Sequence, residues 1–477
     1  MENKIAWDKY SDKDLKKVDK FAEEYRKFLS ECKTERECVK KFREMAEKQG
    51  YEDLADVIRH KKPLVAGDKV YAINRGKGII LFHIGEESIE NGMNILGAHI
   101  DSPRIDLKQN PLYEDTGLAL LDTHYYGGIK KYQWVTTPLA LHGVVALKNG
   151  EVVDVVIGEK DTDPVVGISD LLIHLAAEQL EKKGNKIVEG EALDILVGSI
   201  PVKSDDKSEK DKNKDKKDKE KEACKEKVKA NILRILKDKY GIEEEDFISA
   251  EIEAVPAGPA RNYGIDESMI MGYGHDDRVC AYPSFDALVE TKKLKKTGVC
   301  ILVDKEEIGS VGATGMHSKF FENMVAEVMD RMGEYSELSL RRALYNSKML
   351  SSDVTAAYDP NYPSASEKKN TAYFGRGMVL MKYTGSRGKS GSNDASAEFI
   401  GELRKIMDDN KVNYQTSELG KVDQGGGGTI AYILANYGMD VIDCGVAVQN
   451  MHAPYEVISK ADLYETKCGY KAFLENA

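Results

Sequence analysis

The sequence lacks the marks of several large classes of protein. No apolar run approaches the roughly 18 to 20 residues that a helix needs to cross a bilayer. Seven cysteines are scattered without CxxC spacing, which argues against a disulfide framework or a cysteine zinc site. The net charge of −12 argues against a general nucleic-acid binder. Residues 1–8 have neither the basic head nor the apolar middle of a secretory signal, so we expect a cytoplasmic protein with reduced thiols and no membrane partner.

What the chain does contain is typical of a globular α/β protein. It has 477 residues, too many for one small core, and 41% of them are hydrophobic. Charged stretches with apolar residues at helical spacing predict two amphipathic helices between Ser11 and Gly50. Two β-rich runs, 70–74 and 78–83, then predict a hairpin, and the apolar run 93–98 predicts a buried strand.

The middle of the chain has a different texture. Strand-like pieces at 139–147 and 151–157 are followed by an apolar stretch, 169–180, for which we predict a helix. The segment 203–227 is almost pure Lys, Asp and Glu, so we expect a solvated loop there. After this middle block, the sequence returns to a pattern of strands and loops like that of 65–101, which indicates that the block is an inserted domain. The predicted division is a catalytic domain made of 1–104 and 256–477, interrupted by an inserted domain of 105–255.

Apolar strands and helices alternate again after residue 268, with predicted helices after Asp276 and from 319, 393 and about 429. This rhythm predicts an α/β fold with a mostly parallel sheet flanked by helices on both faces. Functional groups in such sheets gather beyond the carboxyl ends of the strands. Six chemically active side chains come just after an apolar run or in a loop beside one: His99, Asp276, Glu306, Glu307, Asp353 and His452.

Two adjacent glutamates, Glu306 and Glu307, are the most informative pair among these residues. They repel each other unless a cation lies nearby or one of them holds a proton. Taken alone, the pair also fits a solvated acidic turn. Two histidines and several carboxylates nevertheless match a two-metal site. His99 and Asp101 have the spacing of a ligand whose second ring nitrogen donates to a carboxylate.

Five motifs occur in the order seen in one known family. They are GAHIDSPR at 97–104, GHDDR at 274–278, DKEEIGS at 304–310, SD at 352–353 and MHAP at 451–454. The chain resembles, over almost its whole length, the aspartyl aminopeptidases and vacuolar aminopeptidase I, and it looks like a bacterial member. That family consists of zinc exopeptidases with a co-catalytic metal pair. The resemblance therefore implies a metallo-aminopeptidase with two zinc ions per subunit, while cobalt or manganese would suit the same ligands.

The resemblance also implies a role for each matching residue. Asp276 would bridge the two ions, with Asp277 beside it. Glu306 would be the general base that takes a proton from the attacking water, and Asp101 would orient His99. The substrate would be a peptide with a free N-terminus, cleaved at its first peptide bond. The implied metal ligands are His99, Asp276, Glu307, Asp353 and His452.

Substrate preference is less determined by these motifs. Lys382 falls where aspartyl aminopeptidases place a lysine that faces an acidic side chain, although it also fits an ordinary lysine at a strand end. Asp170 stands where the eukaryotic enzymes carry a histidine, which leaves neutral or hydrophobic N-terminal residues open. Gly427, in the run 425–428, would line the substrate with backbone or would simply begin a helix.

The family's inserted domain pairs subunits, and its members resembling this chain form large shells. The resemblance thus implies a homo-oligomer, up to a tetrahedral dodecamer, with 105–255 as a dimerisation domain. Three alternatives stay open: a deacylase that uses the same metal site, an inactive shell that retains only the assembly, and a nucleic-acid partner that works through 203–227. The acidic total charge gives the last of these no support.

Overall fold

The computed structural model describes residues 4–202, 226–385 and 388–477. The chain divides into two compact units: Pro103–Gly258 forms one, and the stretches before and after it form the other. No helix in the described part of the chain is long and apolar enough to span a membrane. The predicted charged loop 203–227 lies outside the described residues as far as residue 225.

A nine-stranded sheet forms the centre of the larger unit. Five of its eight neighbouring strand pairs are parallel, which confirms the predicted mostly parallel sheet. The predicted hairpin is also present as an antiparallel pair. The strands lie in the order Glu52–Asp53, Lys69–Asn74, Gly78–His83, Gly298–Val303, Asn94–His99, Lys348–Ser352, Asp440–Gly445, Met378–Met381 and Tyr414–Thr416.

The central strands are buried on both faces because helices cover each side. Successive residues of a strand point to opposite faces, and Leu96 packs in one buried cluster whereas Ile95 packs in another. The first cluster contains residues of the helices Asp12–Glu31, Glu35–Lys48, His275–Glu290, Ala397–Asp409 and Lys460–Asn476. The second contains residues of Leu54–Arg59, Phe320–Met332, Glu337–Tyr345 and Ala431–Ala435.

Local signals explain where the first two helices begin. Ser11 accepts a hydrogen bond from the backbone of Asp14, and the carboxylate of Asp14 accepts one from the backbone of Ser11, which together form a capping box. Thr34 and Glu37 form the same arrangement before Glu35–Lys48. Later boundaries differ from prediction. The helices predicted from 393 and about 429 begin at Ala397 and Ala431, and the second has only five residues.

A second, five-stranded sheet in the larger unit was not predicted. Its strands are Arg261–Tyr263, Met269–Gly272, Glu456–Ser459, Ala447–Gln449 and Thr355–Ala356, in that order. The register places Gly272 opposite Glu456. Residues far apart in the sequence therefore meet just before Asp276 and just after His452.

The inserted unit is built on a six-stranded antiparallel sheet. The predicted strand pair 139–147 and 151–157 is present as Leu139–Ala146 and Val152–Ile157. A helix, Lys227–Tyr240, belongs to the same unit. The remaining strands of this sheet are Arg104–Asp115, Leu118–Tyr126, Ile195–Gly198 and Ala250–Pro256.

The predicted helix at 169–180 is wrong. Only a 3-10 turn at Ile173–Leu175 and one helical turn at Ala177–Leu180 form there. Ile173 and Leu175 are 63% and 69% exposed, so the apolar face has nothing within the unit to pack against. A short helix without such packing is marginal in water, which explains why the apolar pattern alone does not produce one.

Candidate metal centre

Three neighbouring strands of the large sheet bring candidate residues to the same edge. His99 is the last residue of Asn94–His99, and Asp353 follows Lys348–Ser352 directly. Glu306 and Glu307 follow Gly298–Val303 in a short 3-10 turn. All three strands run parallel, with Val303 opposite His99, so their carboxyl ends coincide as predicted.

The smaller sheet supplies the remaining two candidates. Asp276 lies at the start of the helix His275–Glu290, a few residues after the strand Met269–Gly272. His452 lies in the turn between Ala447–Gln449 and Glu456–Ser459. His452 has a φ of 64°, in the left-handed region. Five residues predicted as ligands from scattered motifs therefore lie together.

The side chains form two groups that share Asp276, and His99, Glu306 and Glu307 form a third combination that could also hold an ion. In the first, the Nε2 atom of His99 lies 3.1 Å from Oδ1 of Asp276 and 3.9 Å from Oδ1 of Asp353. In the second, the Nε2 atom of His452 lies 3.2 Å from Oδ2 of Asp276 and 3.5 Å from Oε2 of Glu307. The ligating atoms of each group all lie within 4.8 Å of one another.

The residues present fit a pair of bound cations. Oδ1 of Asp276 and Oε1 of Glu307 are buried without a hydrogen-bond partner, so each oxygen has a free lone pair. Burial raises the pKa of Glu307 and of Asp353 well above the ordinary value, and neighbouring carboxylates add to the shift. Divalent cations would reverse this effect and keep both groups ionised. Imidazole and carboxylate donors are also the ligands that zinc accepts.

The His99 ring is held in the orientation that a metal ligand requires. Its Nδ1 atom lies 3.0 Å from the main-chain oxygen of Asp101 and 3.3 Å from Oδ1 of the same residue. A carbonyl oxygen can only accept, so Nδ1 carries the proton and Nε2 is left with its lone pair toward Asp276 and Asp353.

Asp101 also determines the backbone of the glutamate pair. Its Oδ1 accepts a hydrogen bond of 3.1 Å from the main-chain N–H of Glu306, and its Oδ2 accepts one of 3.2 Å from that of Glu307. The Glu306 carboxylate then lies 3.9 Å from Nε2 of His99. Burial, with help from the nearby carboxylates, raises the pKa of Glu306 to about 7. Cations bound beside Glu306 would lower this pKa and keep its carboxylate ionised, so that it can accept a proton from water.

The residues that hold the main chain of Asp276 were not identified from the sequence. Ser102 donates a 2.5 Å hydrogen bond to the main-chain oxygen of Asp276. Arg278, which is fully buried, donates to Ser102 (3.1 Å) and to the main-chain oxygen of Lys33 (2.7 Å). The only available signal was that Ser102 and Arg278 lie inside the motifs at 97–104 and 274–278.

Gly274 illustrates how closely this support is packed. It has a φ of 74°, and a Cβ there would lie 1.6 Å from Nη1 of Arg278. Gly333 has a matching φ of 76° but open space around it. We expect Gly333→Ala to lower the free energy of unfolding by about 1–2 kcal/mol, the backbone term alone. Gly274→Ala should lower it further, because Arg278 is held by several hydrogen bonds. Denaturant unfolding of both variants measures the difference, and equal losses would contradict this account.

The residues predicted to bind substrate lie on two loops that touch. Lys382 follows the strand Met378–Met381 and its side chain is exposed. Gly385, three residues later, donates its N–H to the main-chain oxygen of Gly427 at 2.9 Å. Asp170, in the inserted unit, is exposed and accepts hydrogen bonds from the N–H of Leu171 and from Gln179.

Comparison with known proteins identifies the family to which the chain belongs. A mostly parallel sheet that brings two groups of candidate metal ligands together around one shared aspartate matches the class of metal-dependent hydrolases. The family model for the aminopeptidase I zinc metalloproteases (M18) matches residues 28–474. The chain belongs to this family and is therefore an aminopeptidase and a zinc metalloprotease.

Individual relatives cover the chain almost completely. A probable M18 family aminopeptidase 1 of Clostridium acetobutylicum is 63% identical over 475 residues, spanning 100% of this chain and 98% of the relative. The crystal structure of an M18 family aminopeptidase from Thermotoga maritima superposes with a TM-score of 0.91 at 42% identity and covers 100% of both chains. The mApe1 dodecamer of S. cerevisiae has a TM-score of 0.73 at 20% identity, covers 95% of this chain and 96% of that one, and so shares the fold.

Proposed function

We propose that this aminopeptidase holds two zinc ions in the two groups of ligands. His99 and Asp353 would hold one ion, Glu307 and His452 would hold the other, and Asp276, which belongs to both groups, would offer one of its two carboxylate oxygens to each. The observation that carries the proposal is the 3.1 Å and 3.2 Å spacing between those two oxygens and one histidine in each group. A carboxylate shared by two cations would present one oxygen to each group of ligands in this way.

Glu306 acts as the general base and then as the general acid. When bound, the ions polarise the scissile carbonyl and make the attacking water more acidic. Glu306 accepts the proton of that water and returns it to the leaving amine, while the hydrogen bonds from the backbone of Glu306 and Glu307 to Asp101 hold its turn in place. Asp101 keeps the Nδ1 proton of His99 on the side away from the reaction.

The substrate is a peptide with a free N-terminus. Lys382 is proposed to face an acidic N-terminal side chain, and the backbone near Gly427 is proposed to line the substrate. The hydrogen bond from Gly385 to Gly427 supports a shared surface of these two loops. Asp170 is exposed and carries no positive charge, so it gives no support to an acidic preference, and neutral N-terminal residues belong in the substrate panel as well.

Residues 105–255 are proposed to pair subunits of a homo-oligomer, with a tetrahedral dodecamer as its largest form. The exposed apolar side chains at 171–175 support this, because a contiguous apolar surface is usually covered by a partner. The dodecameric relative of the same fold agrees with such an assembly. Replacement of Leu172 and Leu175 by Ser should lower the assembled mass in analytical ultracentrifugation.

Turnover against a substrate panel, before and after removal of metal, tests the proposed function. Dipeptides with free amines should be cleaved, a chelator should abolish activity, and zinc, cobalt or manganese should restore it. N-acetylated versions of the same dipeptides are the matched controls and should resist cleavage. Faster turnover of the N-acylated compounds would favour the deacylase alternative, and activity that survives chelation would contradict the metal mechanism.

A further inference from the structure

Glu456 is buried beside the metal ligands and has no assigned part in the site. Only 1% of the residue is exposed. One carboxylate oxygen, Oε2, accepts a hydrogen bond of 3.0 Å from the main-chain N–H of Asp276. The other, Oε1, accepts one of 2.8 Å from the main-chain N–H of His452. A single carboxylate thus binds the backbone of two ligands that lie in different parts of the chain.

The two amides held by Glu456 differ in how else they are supported. The carbonyl of Asp276 also accepts a hydrogen bond from Ser102, so its peptide backbone is held on both sides. His452 lies in a turn in which both it and Asn450 have positive φ, and its side chain is 34% exposed. A residue with a left-handed backbone keeps that conformation only where its surroundings impose it. The bond to Glu456 is positioned to do this for His452.

Glu456 reaches both amides because of the five-stranded sheet. It is the first residue of the strand Glu456–Ser459, which pairs with Met269–Gly272. That neighbouring strand leads into the loop that ends at Asp276, while the turn just before Glu456 carries His452. The strand pairing therefore delivers the carboxylate between the two ligands.

We propose that Glu456 is a positioning residue that couples the bridging ligand Asp276 to the terminal ligand His452 and so maintains the ion position formed by Asp276, Glu307 and His452. This inference rests on the proposed two-ion site. It assigns Glu456 no contact with substrate or with the ions. Its consequence is asymmetric: loss of Glu456 should weaken the ion position that contains His452 more than the one that contains His99 and Asp353.

Glu456→Gln tests this coupling with little change in size. An amide side chain has one oxygen, so it can accept from only one of the two N–H groups and must turn its own NH₂ toward the other. We expect the variant to bind one zinc ion about as tightly as the wild type and the second about 10- to 100-fold more weakly. Titration of zinc-depleted protein against a chromophoric chelator counts the tight sites, and cobalt substitution reports each site by its visible spectrum.

Glu465→Gln is the matched control. Glu465 is also a buried glutamate, 2% exposed, and accepts hydrogen bonds from a main-chain N–H of Asn413 and from Tyr10. Glu465 lies on the helix Lys460–Asn476, and neither of these two hydrogen bonds involves a proposed metal ligand. Its replacement should lower the free energy of unfolding yet leave both zinc affinities unchanged. Equal losses of zinc affinity in the two variants would reduce the role of Glu456 to general stability and overturn the proposal.

Glu456→Asp provides a second test if the glutamine variant does not fold. Aspartate keeps the charge but is one methylene shorter, so it cannot span both amides, and the same selective loss of one zinc ion is expected. Two tight sites of wild-type affinity in either folded variant would overturn the coupling while leaving the proposed function intact. A wild-type protein that takes up fewer than two ions would instead contradict the proposed function itself.

Discussion

Glu306→Gln is expected to retain both metal ions and to lower kcat by about 10²–10⁴-fold, the range for removal of a general base. The physical reason is that glutamine has nearly the same shape as glutamate but cannot accept a proton from water. The side chain lies near Nε2 of His99 without being needed to complete either group around Asp276. Steady-state kinetics with a dipeptide substrate, together with zinc content per subunit, measure both parts of this expectation.

Glu307→Gln is the matched comparison for Glu306→Gln. Glu307→Gln changes the same side chain one position along the same turn, but it removes a charged ligand from the group that contains His452. We expect Glu307→Gln to lose zinc, with activity partly recovered by excess metal. Glu306→Gln should recover none. Near-normal turnover of Glu306→Gln, or a zinc loss equal to that of Glu307→Gln, would show that the two roles were assigned wrongly.

Asp276→Asn should have the broadest effect of any single substitution in the site. Asp276 belongs to both groups, and its two oxygens face one histidine each. Asparagine keeps only one oxygen and no charge, so it cannot bridge two cations. We expect the affinity for both ions to fall. Loss of a supporting residue lowers metal affinity by about 10- to 100-fold, and loss of Asp276 should lower it further. Activity should be no higher than that of the chelated wild type.

Asp286→Asn is the control for this substitution. Asp286 lies on the same helix, His275–Glu290, is largely buried, and pairs with Lys467 at 2.8 Å. Its replacement should change stability without changing zinc stoichiometry. Binding of two zinc ions by Asp276→Asn with wild-type affinity would rule out a bridging role, whereas a loss of zinc in Asp286→Asn would indicate that the helix as a whole, rather than one carboxylate, controls the site.

Much of the site could be predicted because each candidate residue lies next to a strand that can be recognised from the local sequence. Each of His99, Asp353 and Glu306 follows an apolar strand, and parallel strands necessarily bring such residues to one edge. Asp276 and His452 were joined to them by their placement beside apolar runs, and the motif order then implied their roles. The pairing of Met269–Gly272 with Glu456–Ser459 could not be predicted from the sequence, since short strands carry little information about a partner 184 to 190 residues away.

The same limit explains the helix that was wrongly predicted at 169–180. The apolar spacing in this segment matches that of a packed helix. The spacing does not show whether the same unit has a surface against which such a helix can pack. The structure leaves Ile173 and Leu175 exposed, and without burial the segment forms only short turns. Burial is a property of the assembled fold, so local periodicity could not decide it.

By itself, the sequence determined the types of candidate ligand, their order along the chain and the central sheet that presents them, because residue chemistry and strand patterning are local. Only the tertiary structure decided how the ligands are held. Asp101 supports the glutamate turn, Ser102 and Arg278 support Asp276 from behind, and Glu456 reaches the amides of both Asp276 and His452. These contacts join residues far apart in the sequence, and their geometry exists only once both sheets have formed.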